Sequence, residues 1–419
     1  MKLAGTVSSP VAPGAVVAPG ARRAAAVCFI LLIAALPWTI APMSILSIAT
    51  AVLTLSLWLR TPRPAWPRTG IGAGWLAWTI ALILAFLFAQ DAAASVPRLK
   101  KALFPALVAL AAFHASDRRV GRWALAILFI SSAVASVYGI GFFVAQGGQF
   151  PIRARGPVGH YMTFAGQLLL CLSVAVAVAL QARERRWRLG ALASAAIGTA
   201  ALVFTYTRSS WIGFAVSLAV ILGFTRPRWL LGLGLAGVAA YFAAPGSYRD
   251  RLHSAFDPHH PVNLERTYMW NAGLRMFRDH PWTGVGLEDL HPIYERYRLP
   301  QAHEAAGHLH SVPIQILATM GVIGLIAFIW LYASLFRATA RGLRAMVGAR
   351  SLASAVRTGV VAGLAGFAVA GLFEWNFGDE ELLFLLFTLV GLACAARDWD
   401  APLEAADRAP ERAAEALHA

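Results

Sequence analysis

Apolar runs, most of them near the ~20 residues that a helix needs to span a bilayer, recur along this chain with short polar breaks between them. They fall at roughly 24–40, 42–59, 71–89, 100–115, 121–146, 160–181, 187–206, 209–225, 228–244, 311–335, 355–374 and 380–396. The first two form a hairpin broken between Pro37 and Pro42, too long for a cleaved leader. One long interval, 246–310, is polar. Within it Met269/Trp270, Gly273/Leu274 and Phe277 keep helical spacing after Glu265, and Asp279-His280-Pro281 stops the pattern. Thr283 to Gly286 reads as a tight turn, and Pro292 to Arg298 as a second short helix with Tyr294 and Tyr297 on one face. The pattern predicts an all-α polytopic membrane protein with about 12 transmembrane helices and a large helical loop between helices 9 and 10. Its parts are a disordered tail at 1–21, transmembrane helices 1–9 over 22–245, a loop or cap over 246–310 lying on the membrane surface, helices 10–12 over 311–397, and a tail over 398–419.

Composition agrees. Only 14% of residues are charged and 58% are hydrophobic, against roughly 25% charged in soluble domains. The net charge of +15 sits mostly in short loops, so topology explains it and nucleic acid is not expected as a partner. Placing both termini in the cytoplasm puts most of the Lys and Arg inside, leaving the long loop outside, which is the periplasm in a Gram-negative cell. Arg98, Lys100, Lys101, Arg153, Arg155 and Arg208 fall on the outer side, against the rule. Arg208 stands out, because Thr205 to Ser210 barely separates two apolar runs, and a charge there is a functional-site hypothesis. Cys28, Cys171 and Cys394 lie far apart in apolar runs and form no metal or disulfide pattern.

A P-loop, a dinucleotide fingerprint, an HExxH and a GxSxG elbow are all absent. Eight of the 11 histidines lie in the polar interval. His303, His308 and His310 match no zinc spacing, so no metal is expected. His310 stands one residue before an apolar helix, where a neutral imidazole can serve as a general base, with His308 in reserve. Arg155, Arg208 and Arg266 come from separate outer segments, and guanidinium forks suit phosphate oxygens.

Five stretches together resemble the O-antigen ligase family, with the related O-antigen polymerases and protein O-oligosaccharyltransferases. They are Arg153-Ala154-Arg155-Gly156-Pro157; Thr207-Arg208-Ser209-Ser210-Trp211; Arg266 through Trp270 to His280-Pro281-Trp282-Thr283-Gly284-Val285-Gly286; His310-Ser311 followed by Gly321 and Gly324; and Glu374 to Glu381. The resemblance runs from about Arg22 to Arg397, and Gly324 stands where some ligases carry threonine. It implies a metal-independent, inverting glycosyltransferase without a cofactor, on the outer face of the bacterial inner membrane. The implied donor is a glycan on undecaprenyl pyrophosphate, and the implied acceptor is a sugar hydroxyl of lipid A–core. His310 would take the acceptor's proton. Arg208 and Arg266 would hold the pyrophosphate and Arg155 would assist, with His308, Arg153 and Trp270 supporting. A polymerase would differ only in acceptor, and a protein glycan ligase, a type that often carries an additional C-terminal soluble domain, is a third possibility. A secondary transporter would instead favour inverted repeats and broken helices with charges near the midplane.

Overall fold

A computed structural model describes residues 19–59, 66–343 and 350–399. The proposed tails at 1–21 and 398–419 lie largely outside these residues, although residues 19–21 already belong to the first helix. The regular structure of the described residues is all helical, without a strand. In order the helices are α1 (Pro19–Ala35), α2 (Ile40–Trp58), α3 (Gly72–Leu87), α4 (Ala92–Ser95), α5 (Ala106–Ala115), α6 (Arg118–Ala145), α7 (Tyr161–Gln181), α8 (Arg185–Phe204), α9 (Arg208–Thr225), α10 (Trp229–Ala243), α11 (Gly246–Phe256), α12 (Pro261–Asp279), α13 (Leu290–Tyr297), α14 (Val312–Ala340), α15 (Leu352–Gly371) and α16 (Glu380–Ala395). Every apolar run read from the sequence overlaps one of them. Among the described residues seven helices are long and apolar enough to cross a membrane, and α3 and α10 are shorter apolar helices.

The span placed at 100–115 differs most. Its first part is a 3-10 turn, Val96–Ala102, and α5 has only 10 residues, about 15 Å of α-helix. Pro97 and the Lys100-Lys101 pair lie in the 3-10 segment, which explains why regular apolar periodicity starts only at Ala106.

α7 and α15 form the centre and are the most buried of the long helices. Small residues let the backbones approach. A Cβ on Gly359 would lie 2.6 Å from Val174 Cα, and one on Gly213 would lie 2.5 Å from the Gly366 carbonyl, so α15 rests directly on α7 and α9. The outer helices turn large apolar side chains outward, such as Ile45, Ile48 and Val52 on α2, as a lipid-facing surface requires.

The polar interval folds into α11, α12 and α13. α11 had no counterpart in the sequence reading. Met269, Ala272, Met276, Ile293, Tyr294 and Leu309 form its own small core, and α12 packs on α14. α14 is interrupted at Gly321, whose φ of 63° leaves the helical region. The turn after α12 fills the break with backbone hydrogen bonds. The N–H groups of Val285 and Gly286 donate to the carbonyls of Ala318 and Thr319 at 2.8 and 3.1 Å, and those of Val322 and Ile323 donate to the carbonyls of Pro281 and Trp282 at 2.8 and 3.4 Å. The polar cap is thereby stitched into a membrane helix.

Candidate functional site

The loop before α14 places two histidines. Leu309 is fully buried between them, and its N–H donates to Gln315 Oε1 at 2.8 Å. His310 has φ 47°, a conformation that costs a non-glycine residue about 1–3 kcal/mol and marks functional sites. The only other non-glycine residue with positive φ among the described residues is Tyr206. It lies two residues before Arg208, stacked on Tyr248 at 4.5 Å.

The loop between α15 and α16 brings Glu374 to His310. His310 Nδ1 is 2.9 and 3.2 Å from the two Glu374 oxygens, and its Nε2 has no hydrogen-bond partner among the described residues. His308 Nε2 lies 3.5 Å from the same carboxylate, and the two rings are 4.2 Å apart. Arg266 on α12 reaches Glu374 at 3.3 Å and the Phe373 carbonyl at 2.7 Å. Burial by itself would raise the Glu374 pKa. The hydrogen bonds from His308 and His310 and the nearby charges of His310 and Arg266 outweigh it and hold the group well below the usual carboxylate range. An ionised Glu374 therefore accepts from His310 Nδ1–H and leaves Nε2 as the acceptor atom.

A second acid lies in the same loop. Asp379 accepts from Thr163 Oγ1 at 2.7 Å. Burial pushes its pKa up and Glu374 adds to the shift, against the Thr163 hydrogen bond. His160 is 3.3 Å from Thr163 Oγ1. Burial lowers its pKa against the Glu374 charge, and His308, Arg155 and His310 lower it further.

The arginines form the other wall. Arg208 begins α9 and donates to Ser254 Oγ on α11 at 2.9 Å and to Asn263 Oδ1 on α12 at 3.0 Å. Arg251 on α11 is half-buried and donates to the Tyr206 carbonyl at 3.4 Å. Burial, then the charges of Arg208, Arg153 and Arg266, lower its pKa to about 10, against Tyr161, which raises it. Arg153 stacks over Tyr161 at 4.2 Å, on a loop tied to the end of α8 by the Ala154 N–H to the Phe204 carbonyl. Arg155 is exposed, over Phe142 at 5.3 Å. Of Arg153, Arg155, Arg208, Arg251 and Arg266, only Arg266 has an acidic partner among the described residues. Guanidiniums that feel one another's charge, most of them without a carboxylate partner, create a strong field for a multiply charged anion.

The structure thus brings together His308, His310, Arg153, Arg208 and Arg266, and adds Glu374, Asp379, His160 and Arg251. Arg155 reaches the site on its His160 side. Trp270 stands one turn beyond Arg266 on α12, with its indole N–H buried and without an acceptor. His303 stays exposed, and its backbone N–H, like that of Glu304, is held by Glu265. Tyr294, which the sequence places with Tyr297 on one face of the second short helix, is fully buried in the cap core and presents no face to a ligand. His308, His310 and Glu374 each offer one ligand atom within 4.8 Å of one another, the three protein ligands that a divalent cation such as zinc takes at an open site. That set was invisible in the spacing, because Glu374 lies a helix pair away. Among the missed residues, Glu374 carried the best signal, in the acidic loop before the last apolar run. Arg251 carried only its position in the polar interval.

Residues 193–329, about a third of the chain, match the family described as O-antigen ligase. The match holds Arg208, Arg251, Arg266, His308 and His310, and leaves Arg153, Arg155, His160 and Glu374 outside it. No curated protein matches the chain.

Proposed function

We propose, from the premise that residues 193–329 belong to the O-antigen ligase family, that this chain transfers a glycan from undecaprenyl pyrophosphate to a sugar hydroxyl of lipid A–core, without metal or cofactor. The single observation that carries the reading is the juxtaposition of a carboxylate-held imidazole, His310 on Glu374, with a wall of arginines. Glu374 fixes the tautomer and stabilises the imidazolium, as a carboxylate does for a catalytic histidine in other folds. His310 Nε2 takes the proton of the acceptor hydroxyl as its oxygen attacks the anomeric carbon. The bond to the pyrophosphate oxygen breaks, and Arg208, Arg266 and Arg251 take up the charge of the leaving group. Arg153 and Arg155 flank this pocket.

An isoprenoid tail needs an apolar groove open to the bilayer. One of about 780 Å³ lies against α2 and α5, lined by Ile48, Leu55, Leu103 and Leu107, with Lys100 and Glu380 at its polar end. The break in α14 does not favour transport, since the carbonyls of Ala318 and Thr319 and the N–H groups of Val322 and Ile323 are taken by residues 281–286. In this reading the chain crosses the inner membrane about 12 times, N-in and C-in, with the cap in the periplasm.

Purified protein reconstituted with an undecaprenyl-pyrophosphate-linked glycan and a chelator, with and without lipid A–core, tests the proposal. A single glycan added per acceptor is the expected product. Longer lipid-linked chains in both tubes would replace the ligase reading with a polymerase. No product in either tube would overturn the transferase reading.

A further inference from the structure

The end of the bundle opposite His310 carries a second built feature. α6 and α8 pack side by side, and a lateral groove of about 770 Å³ runs along them. Its walls are apolar, with Trp123, Ile130, Val134 and Ile197 among the lining side chains. Trp123, Ile130 and Val134 are exposed, as they would be to acyl chains.

Three arginines stand at one end of this groove: Arg119 and Arg122 from the first turns of α6, and Arg186 from the start of α8. A single carboxylate answers them. Glu184 pairs with both Arg122 and Arg186, and Arg119 has no acidic partner among the described residues. Arg122 also stacks over the Trp187 ring at 5.6 Å. The Trp187 indole N–H is shielded from solvent and finds no acceptor among the described residues, an arrangement that a buried donor rarely tolerates.

An apolar groove with its cations gathered at one end matches a molecule with a long apolar body and an anionic head. Free phosphate would leave the groove unfilled, and a neutral lipid would leave the arginines unanswered. We propose that this groove binds an anionic glycerophospholipid, with its acyl chains along the α6–α8 wall and its phosphate at Arg119, Arg186 and the Trp187 N–H. Basic clusters between membrane helices recognise anionic headgroups in this way. None of these residues belongs to the His310 site, so the proposal stands apart from the transferase reading.

Native mass spectrometry of the full chain, stripped of lipid in a nonionic detergent, tests it with phosphatidylglycerol and phosphatidylcholine of identical chains. Phosphatidylglycerol adducts are expected to outlast phosphatidylcholine adducts by about tenfold or more, from two cations near the headgroup. The double substitution Arg119→Gln with Arg186→Gln removes that preference while keeping binding of both lipids. Gly190→Leu, which fills the groove where a Cβ meets open space, weakens both lipids with the charges intact. Melting curves of the same samples establish that the variants fold. Equal retention of the two lipids by the unaltered protein would overturn the proposal. So would a preference that survives the double substitution, or a second copy of the chain displacing lipid from the groove.

Discussion

Glu374 and Asp379 share one loop, yet their surroundings drive them in opposite directions. Histidine contacts and Arg266 keep Glu374 ionised, whereas burial beside Glu374 raises Asp379. Two acids pushed apart in this way commonly mark a division of roles. Under the proposed mechanism His310→Ala abolishes transfer with expression and insertion unchanged, and normal transfer by that variant would remove His310 as the base. Glu374→Gln keeps the shape but not the charge. It is expected to lower kcat about 10²- to 10⁴-fold, the usual worth of a positioned acid–base group, with little change in donor KM. A pure KM effect would instead make Glu374 a binding residue. Arg208 donates through two nitrogens to two helices, a fork that lysine lacks. Arg208→Lys should therefore weaken transfer about 10- to 100-fold, from one or two lost charged hydrogen bonds. Glu374 also sets a pH dependence. Its folded pKa is depressed below the ordinary 4.5, so its contribution is full above that value and fades as pH falls below it. Melting temperatures measured downward from pH 6 should fall below about pH 4.5, and Glu374→Gln should flatten the slope.

At the scale of elements, the turn 281–286 and the break in α14 explain a run of glycines that the sequence shows only as a motif. A Cβ on Gly284 would lie 2.3 Å from Met320 N, and one on Gly321 would lie 2.3 Å from the Trp282 carbonyl. Both residues also have positive φ, 69° and 63°. Gly321→Ala therefore meets backbone that cannot move aside. It should cost at least about 1–3 kcal/mol from the dihedral alone, seen as a lower melting temperature in detergent, while Gly363→Ala on α15 meets nothing closer than 3.4 Å and should cost less. Equal melting points for the two variants would show that the stitch between cap and α14 is soft. This region also marks how far the sequence was legible. Apolar runs located the helices, and Asp279-His280-Pro281 located the end of α12, because both are local signals. The insertion of 281–286 into α14 pairs segments far apart in the chain, and no local pattern encodes such a pairing. Glu374 escaped for the same reason, since its partner His310 lies two helices away. α11 escaped because the polar run Tyr248 to His253 has no clear apolar stripe.

Across the whole molecule, cations outnumber their acidic partners at two ends. At one, Arg153, Arg208, Arg251 and Arg266 stand with His310. At the other, Arg118, Arg119, Arg122, Arg183 and Arg186 surround Glu184. The positive-inside rule treats the second cluster as ordinary and Arg153 and Arg208 of the first as exceptions. In the proposed topology these exceptions belong to the active pocket, and this assigns each end a side that can be read directly. Trp282 lies on the cap at 69% exposure, and Arg188 is exposed near the start of α8. With Cys28, Cys171 and Cys394 replaced by alanine, single cysteines at these two positions should report opposite sides. A membrane-impermeant maleimide applied to spheroplasts should label Trp282→Cys at once and Arg188→Cys only after permeabilisation. The reverse pattern would place the cap in the cytoplasm, out of reach of lipid A–core in the outer leaflet, and the ligase reading would fall with it. Labelling of both positions in intact spheroplasts would mean that the chain between them crosses the membrane an even number of times, in conflict with the opposite ends at which the structure holds Arg122 and Arg208.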